Sequence, residues 1–526
     1  MGRERAVITV FFCLLSVVFL AFGFAIVEAV RMSGARAQCA NMTSLGLWSV
    51  FSEYDNILLE DYGLFAVDGA YGGDSFSGDA MVQKLTGYIK ENEKVTEELS
   101  AKLPGLLLDP WKVSANQLQM GQYALLTDRG GEYYYQQAVE YMAKTAWADA
   151  IGELQDAYKD AQGVRQAESE FEAGRKESSE KSGSVSSEVN RIRDDRSYSV
   201  TIHSDGTQTS EYSQDAADRV RWEEAEGKSH DPTDSIEELK KADLLELVCG
   251  SIKLSRKKIT GSDLLSKRQA GRGVLSLDTP RGGMVDDLLF REYLLDHFHH
   301  FRDGPGDEAL LYQTEYLIGG KYSDQDNLKK TVRSLIYLRE GANYLFLVTN
   351  PARNEEASAL ATLIIGWTGE PVLIGIVKHA LLLQWAYAES LFDIRIMLHG
   401  GRVPLKKTDL DWHVPISALK NMRSELKRAD AVAAAGTTGL QYEDYLRLLL
   451  NLQGISTLKK RSLDMIEMNM RTVCGCPAFR ADHCVIGITV KADWSIPSIF
   501  GKVPGALLGT GALSSELHID GGFAYR

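Results

Sequence analysis

Apolar residues form one uninterrupted run near the start of the chain. The segment from Ala6 to Val27 contains no charged residue and no proline. At about 1.5 Å per residue, roughly 22 helical residues span about 33 Å, which matches the hydrocarbon core of a bilayer. A secretory signal peptide has a shorter apolar region, about 7–15 residues. The pattern therefore predicts a transmembrane helix at 6–27.

The residues behind this run favour a permanent anchor over a removable leader. The triplet Ala35-Arg36-Ala37 has the composition of a signal peptidase site, but Glu28 and Arg31 separate it from the apolar run. Signal peptidase prefers small residues close behind the apolar region. Cys39 has an arginine three positions before it, which does not fit a lipoprotein leader.

The charges on the two flanks bear on orientation. Arg3 and Arg5 precede the apolar run, and under the positive-inside rule they place the N-terminus in the cytoplasm. Arg31 and Arg36 stand on the far flank and oppose this assignment, although Glu28 precedes them. We expect a single-pass protein of the cell membrane with an extracytoplasmic head.

The helical pattern continues past the membrane. Leu47, Phe51, Tyr54 and Leu58 step by four, three and four, which gives one apolar helical face. No proline interrupts the chain before the turn signals that follow Tyr62. The sequence thus predicts one long helix, with one half suited to lipid and the other suited to a protein core.

The rest of the chain predicts a mainly helical α+β protein with a small antiparallel sheet at the C-terminus. The segments "HCVIGITVKADW" and "LHIDGGFAYR" alternate like strands, with "GKVPGALLGTGALSS" as the loop between them. A charged stretch with the turn signal Asp205-Gly206 predicts a projecting arm, or a mobile insertion, that carries a hairpin. The predicted organisation is a cytoplasmic stub (1–5), the transmembrane helix (6–27), its continuation into the head (28–62), a helical part of the head (63–161), the charged arm (162–233), a helical core (234–470) and a C-terminal β region (471–526).

The stretch "PVLIGIVKHALLLQWAYAESLFDIRIMLHGG" is the most hydrophobic one outside the anchor. Charged residues recur through it, so no uncharged run reaches the length of a second membrane span. We therefore expect a central core helix. Its Glu389 and Asp393 are expected to form buried ion pairs with Arg333 or Arg339.

The overall composition is that of a globular protein with one anchor. The 526 residues are 44% hydrophobic and 25% charged, with a formal net charge of −14. An acidic balance argues against nucleic acid as a partner, because phosphate binding needs a positive surface.

One candidate metal site lies near a predicted helix end, at Asp296, His297, His299, His300 and Asp303. Zincin-type helices place two histidines one turn apart, whereas these histidines are one and two positions apart and point in different directions. Histidines in a last turn also suit the negative end of the helix dipole. A structural role is therefore favoured.

A second candidate site contains Cys474, Cys476, His483 and Cys484. Thiolate and imidazole suit zinc, but a C-x-C spacing with an adjacent His-Cys pair is atypical. A disulfide between two of the three cysteines is favoured in an exported domain, with metal binding as the alternative.

Signatures of catalysis are missing from the sequence. It contains no P-loop, no G-x-S-x-G, no H-E-x-x-H and no kinase set. We therefore predict a protein that is not an enzyme, with no catalytic residues, no cofactor and no small-molecule substrate.

Several stretches of the chain are similar to one protein family. They are the opening "ITVFFCLLSVVFLAFGFAIVEAVRMSGARAQ", then "SVFSEYDNILLEDYGLFAVDG", "EYLIGGKYSDQDNLKKTVRSLIYLREGANYLFL", "LQWAYAESLFDIRIMLHGGRVPLKKTDLDW", "GLQYEDYLRLLL" and "DMIEMNMR". The family they resemble comprises uncharacterised anchored bacterial proteins of TadE/TadG-like pseudopilin type. These are found with tight-adherence (Tad, Flp) pilus systems, mainly in Gram-positive bacteria, and have no established activity.

The resemblance implies a pilin-like part of an envelope machine. Its partners would be the lipid bilayer and pilus or secretion-system membrane proteins, reached through the N-terminal helix. A prepilin has a glutamate at the fifth position after its cleavage glycine, whereas the fifth residue after Gly2 is Val7. Glu4 and Glu28 lie elsewhere, so prepilin processing and polymerisation are not expected. The alternatives are an anchored surface structural or adhesive protein unrelated to pili, and a membrane-tethered hydrolase.

Overall fold

The computed structural model describes residues 2–102, 113–145, 148–497 and 514–525. The helices in these residues are α1 (Gly2–Phe51), α2 (Asn56–Tyr62), α3 (Gly78–Lys102), α4 (Asp128–Thr145), α5 (Ala148–Arg196), α6 (Gln214–His230), α7 (Thr233–Lys241), α8 (Leu244–Cys249), α9 (Met284–His297), α10 (Gln313–Gly319), α11 (Asp324–Thr349), α12 (Pro351–Ile365), α13 (Pro371–Leu398), α14 (Met422–Ala435), α15 (Tyr442–Leu452) and α16 (Ile455–Thr472). The strands are β1 (Val67–Asp68), β2 (Ser114–Leu125), β3 (Tyr198–Ile202), β4 (Gln208–Tyr212), β5 (Cys484–Pro497) and β6 (Ser514–Ala524). The loop predicted at 501–515 lies almost wholly outside the described residues.

The chain folds into two compact units. The sheet unit comprises Met1–Lys144, Ser262–Gly282 and Ser462–Arg526, and the helical unit comprises Thr145–Gly261 and Gly283–Arg461. The predicted class, a mainly helical α+β protein with a long N-terminal helix and a small C-terminal antiparallel sheet, is confirmed.

β5 is the central strand of the sheet unit. It pairs antiparallel with β2 along one edge and with β6 and β1 along the other. Its alternation follows the predicted pattern, because Ile488, Val490, Ala492 and Trp494 are buried and Lys491 is exposed. The buried side chains share one hydrophobic core with residues of α1 and α3. Each large apolar side chain in such a core contributes about 1.5–3 kcal/mol.

α1 ends at Phe51, so the prediction of one helix that continues to residue 62 is wrong. Asp55 has an extended backbone, and its Oδ1 accepts hydrogen bonds from the backbone amides of Ile57 and Leu58, at 3.0 Å each. This aspartate caps a separate helix, α2. Leu58 is buried as the apolar pattern requires, but it belongs to a different helix from Phe51.

Residues 63–161, predicted to be helical, also contain strands β1 and β2, which corrects that prediction. The β2 sequence "SANQLQMGQYAL" lacks a clear apolar alternation, and only its last two residues are buried. Pairing with β5 makes it a strand, with Leu118 opposite Ala492 and Met120 opposite Val490. Tertiary pairing decides the structure where the local pattern is weak.

The hairpin predicted in the charged stretch is confirmed by the pairing of β3 with β4. Its turn is at the expected place, where Gly206 has a φ of 84° and the Thr207 amide donates to Oδ1 of Asp205 at 3.0 Å. Every residue of both strands is exposed.

α5 packs against α11 within the helical unit, so the predicted arm is not detached along its whole length. Phe171 is buried, and its ring centroid lies 5.9 Å from those of Tyr337 and Tyr344 on α11. Gly174 makes this approach close, since a Cβ at that position would lie 2.6 Å from the Tyr344 hydroxyl.

α13 forms part of the core of the helical unit through its second half. Most residues from Leu381 to Leu398 are buried, and Nε1 of Trp385 donates to the Val414 carbonyl at 2.7 Å. Helices α11, α12 and α14 pack around it. By length and composition alone, α1 and α13 are the two helices in the described residues that suit a membrane span.

Candidate functional site

The first half of α1 presents apolar side chains on all sides. At least half of the surface of each of these side chains is exposed: Ile8, Val10, Phe11, Phe12, Leu14, Val17, Val18, Phe19, Leu20, Phe22, Ile26 and Val27. The helix from Ile8 to Val27 is about 30 Å long. A helix that is apolar all round and not covered by protein is compatible with a membrane anchor.

The second half of the same helix is built into the sheet unit. Ala35, Cys39, Met42, Leu47 and Val50 recur at helical spacing and are buried in the core beside β5. The helix passes from the exposed apolar surface to this buried stripe without interruption. The apolar segment and the sheet are therefore joined by continuous helix, not by a linker.

Arg31 lies where the apolar segment gives way to the sheet unit. Only 8% of its surface is exposed, and its Nη2 donates to Oε1 of Glu28 at 2.8 Å and to the Pro497 carbonyl at 2.7 Å. Pro497 is the last residue of β5. The contact ties the end of the central strand to α1, about one helical turn beyond Val27.

A row of small residues follows one ridge of α1. Its members recur at every fourth position and are all exposed: Ala21, Ala25, Ala29, Ser33, Ala37 and Asn41. Small residues at this spacing allow the backbone of a crossing helix to approach closely. Leu45 and Trp48 extend the row and are 56% and 67% exposed. Each step of four residues turns the row by about 40° around the helix axis, so Ala21 and Trp48 face opposite sides. These eight residues, termed the exposed row, are candidate contact positions along α1.

The helical unit contains a buried ionic network at the predicted position on α13. Nη2 of Arg339 lies 3.0 Å from Oδ2 of Asp393, and both side chains are fully buried. The predicted pair of Asp393 with Arg339 is confirmed, whereas Arg333 is exposed and takes no part. Lys407 joins the network, with its ammonium 2.7 Å from Oδ1 of Asp393 and also bonded to Glu389. The predicted pairing of Glu389 with an arginine is therefore wrong, because its cationic partner is Lys407. Two cations thus balance two carboxylates, as buried charges require.

Both carboxylate oxygens of Glu389 accept hydrogen bonds from backbone amides. Its Oε2 accepts a hydrogen bond from the Val414 amide at 2.7 Å, and its Oε1 accepts one from the His413 amide at 3.0 Å. Burial alone would raise the pKa of Glu389, but Lys407 and His413 outweigh burial and hold this pKa below its usual range. The carboxylate stays ionised and fixes the segment that carries Lys407 and His413.

The same network contains a donor set of the kind that binds metal. Ligand atoms of Glu389, Asp393 and His413 lie within 4.8 Å of one another. The Lys407 ammonium is bonded to both carboxylates and supplies the positive charge that a metal ion would otherwise provide. The arrangement fits a structural ion network.

The histidines near the end of α9 contact three different neighbours. The His297 ring stacks on Tyr293 with centroids 4.2 Å apart, and His300 faces Tyr442 edge-on at 5.9 Å. His299 is exposed and lies 3.0 Å from Oε1 of Glu308. Burial lowers the pKa of His297 and of His300. The three rings converge on no common centre.

The cysteine cluster contains free thiols, so the predicted disulfide is not formed. Cys484 is buried at the start of β5, where its Sγ donates to the Arg480 carbonyl at 3.7 Å. Cys474 and Cys476 are half-buried in the turn that follows α16, with Sγ of Cys476 3.7 Å from the Cys474 carbonyl. Burial raises the pKa of the Cys484 thiol well above its usual range.

Two features of these sites cannot be predicted from the sequence. Lys407 lies in a loop and shows no periodicity that would mark it as buried. The Glu28–Arg31 pair is visible as a helical i, i+3 pair, but its bond to Pro497 joins residues far apart in the chain. Only the fold brings these partners together.

Comparison with known proteins yields a family and no activity. A model described as a family of unknown function (DUF5702) matches residues 222–496, which is more than half of the chain. No curated protein and no solved structure matches the chain. The matched range excludes α1. The chain belongs to the DUF5702 family of unknown function.

Proposed function

We propose that this protein is a non-enzymatic, single-pass membrane-anchored component of a tight-adherence (Tad/Flp) pilus or a related secretion machine. Its role would be that of a minor pseudopilin-like subunit or an assembly factor. The observation that carries the proposal is α1, which is apolar and exposed from Ile8 to Val27 and is buried against a sheet in its second half. A helix shared in this way between lipid and a folded head is the architecture of pilin-like subunits.

The Arg31 contact supports a structural role for the anchor. A flexible linker would leave a head free to move relative to the membrane, whereas α1 runs unbroken through this point. The bond from Arg31 to Pro497 fixes the end of β5 to the helix just above the apolar segment. A force or a movement applied to the helix would therefore pass directly into the sheet.

The exposed row supplies the surface for lateral contacts. Lipid tails are as apolar as the side chains of a membrane helix, so the hydrophobic effect does not drive helices together in a bilayer. They associate instead through close packing of small side chains. Ala21, Ala25 and Ala29 provide that surface within or beside the bilayer, and Leu45 and Trp48 provide a second one in water on another side of the helix. Large exposed apolar side chains outside the membrane favour a protein partner at this position.

The link to tight-adherence systems rests on the sequence resemblance of the opening segment and of the α11, α13 and α15 segments. The orientation rests on Arg3 and Arg5, which favour a cytoplasmic N-terminus and an extracytoplasmic head. α13 is assigned to the core because its second half is buried. A single membrane span follows from these assignments.

Site-specific photocrosslinking in cells tests the proposal. Benzoylphenylalanine replaces Ala37 or Trp48 in the exposed row, and Lys491 on the exposed side of β5 serves as the matched control. We expect the two row positions, but not position 491, to capture a membrane protein of the pilus or secretion machinery. Capture of the same proteins from all three positions, or of no such protein from the row, would refute the proposal.

A second function has one specific observation in its favour. The hairpin exposes Tyr198, Val200, Ile202 and Tyr212, and in a two-stranded hairpin these side chains lie on one face. An exposed apolar face of this kind favours an adhesive surface protein unrelated to pili. If V200S and I202S abolish surface adhesion while the crosslinks from Ala37 are retained, adhesion becomes the preferred function.

A further inference from the structure

The helical unit contains a cleft of about 670 Å³, within the size range of ligand pockets. It is lined by the α7–α8 connection, by one face of α11 and by Tyr387 of α13. Arg333, Ile336, Tyr337 and Glu340 of α11 recur at intervals of three, one and three positions and so lie on one helical face. The cleft therefore follows α11 for two turns, with an arginine at one end and a carboxyl group at the other.

Three of the six charged residues that line the cleft are in ion pairs. Lys329 lies 2.9 Å from Asp243, and Lys241 lies 3.7 Å from Glu237. These pairs neutralise the rim and leave the groups on the α11 face to determine what the cleft attracts.

Three charged groups in the cleft are left without an ion-pair partner among the described residues. The side chains of Glu340 and Arg333 make no hydrogen bond or salt bridge within the described residues, and Lys240 lies over the Tyr387 ring at 5.2 Å from its centroid. Glu340 is half-buried, and burial raises its pKa to about 7, while Lys240 and Arg175 oppose that rise and Glu172 adds to it. A cation placed beside Glu340 would replace the water that its carboxylate has lost.

The spacing of these groups defines the shape of the ligand. Glu340 and Arg333 are seven residues apart, so their Cα atoms are about 10 Å apart along the helix. Ile336 and Tyr337 fill the interval with apolar and aromatic surface. A complementary ligand has an ammonium group at one end, an apolar spacer, and an anionic group at the other end.

We propose that this cleft binds an extended zwitterion, in which a primary ammonium group meets Glu340 and a carboxylate meets Arg333. The ammonium group gains a charge-assisted hydrogen bond to the Glu340 carboxylate. Arg333 offers the planar donor pair that suits a carboxylate. Free ω-amino acids and the C-terminal lysine of a protein chain both have this chemistry.

Isothermal titration calorimetry of the full-length protein in lipid nanodiscs at pH 8 tests the proposal. The probes are 6-aminohexanoate, hexylamine, hexanoate, a hexapeptide that ends in lysine, and the same peptide with an amidated C-terminus. We expect 6-aminohexanoate to bind at least about tenfold more tightly than hexylamine or hexanoate, because each of those lacks one of the two charged contacts. Binding of the free-acid peptide but not of its amide would identify a protein C-terminus as the natural ligand, and binding of 6-aminohexanoate alone would identify a free ω-amino acid.

Variants of the two charged residues distinguish binding in this cleft from nonspecific binding. E340Q and R333Q are each expected to weaken 6-aminohexanoate binding at least about tenfold. E355Q, on the exposed surface of α12, is the matched control and should leave the affinity unchanged. The proposal fails if neither 6-aminohexanoate nor the lysine peptide binds at 10 mM, or if all three variants bind alike while circular dichroism shows them folded. Since α1 takes no part in the cleft, either result leaves the proposed pilus role to be judged by crosslinking alone.

Discussion

Arg31 donates a hydrogen bond to the backbone carbonyl of Pro497, 466 positions away in the chain, at a distance of 2.7 Å. The same guanidinium group also bonds to Glu28 one turn earlier in α1. Arg31 is 8% exposed, so water cannot readily replace these bonds. The end of β5 is thus attached to α1 at the level where the apolar segment ends.

Replacement of Arg31 is expected to loosen the end of the sheet. R31A leaves the Pro497 carbonyl and the Glu28 carboxylate without this donor, which costs about 1–3 kcal/mol in the free energy of unfolding. Amide hydrogen exchange in β5 should become faster towards Pro497 and stay unchanged at Cys484. R36A is the control, because Arg36 is exposed on the same helix and makes no bond in the described residues. Equal protection in R31A and wild type would contradict this account of the contact.

Lys407 is expected to be essential for the stability of the helical unit. K407M removes one of two buried cations and leaves Glu389 and Asp393 facing one arginine, and an uncompensated buried charge costs about 3–5 kcal/mol. Thermal unfolding in detergent should show a large loss of stability. K406M changes the neighbouring exposed lysine and should unfold like the wild type. Similar stability in both variants would mean that Lys407 is not needed to balance the network.

Charged residues on α13 and Lys407 differ in how far their burial can be predicted from the sequence. Asp393 and Arg339 lie on helices with clear apolar periodicity, so their burial and pairing can be predicted. The predicted pairing of Glu389 with Arg333 or Arg339 is wrong, because its partner is Lys407. Lys407 follows a glycine-proline-rich loop, where local pattern carries no information about burial. Its position depends on how that loop folds over α13, which is a tertiary property.

The same physical limit explains the errors at α1 and β2. The apolar spacing from Leu47 to Leu58 is preserved across the end of a helix, because both helices bury residues in one unit. In the sequence, only Asp55 indicates that α1 ends and a new helix begins. Its side chain accepts hydrogen bonds from backbone amides that would otherwise be free to continue the first helix. β2 has a weak pattern of its own and takes its conformation from β5, which is distant in sequence. Strands that depend on distant partners are the elements that local reasoning misses.

The raised pKa of Glu340 predicts that the difference in stability between E340Q and the wild type depends on pH. Burial raises its pKa from 4.5 to about 7 in the folded chain, so the folded state holds this proton more tightly than the unfolded state. Stability is therefore lost as the pH rises from about 4.5 through 7, because ionised Glu340 is less well solvated when folded. E340Q removes this penalty and should exceed the wild type by about 1–2 kcal/mol at pH 8, a value reduced because the cleft is open to water. At pH 4 the free energies of unfolding of E340Q and of the wild type should be close. The E355Q control should have the same stability as the wild type at pH 4 and at pH 8. A constant difference across this range would exclude titration of Glu340 as the cause.

Cysteine accessibility provides the test of orientation. Cys474 and Cys476 are half-buried, whereas Cys39, Cys249 and Cys484 are buried, and Cys13 lies in the apolar segment of α1. If the head is extracytoplasmic, a membrane-impermeant maleimide applied to intact cells at pH 8 should label the protein through Cys474 and Cys476. The C474S/C476S double variant should lose that labelling, and denaturant should restore labelling through the buried thiols. Burial keeps Cys484 unreactive in the folded protein by shielding the thiol and by raising its pKa. Labelling of the wild type only after lysis would place the head in the cytoplasm and would remove the topological basis for a role in an external pilus.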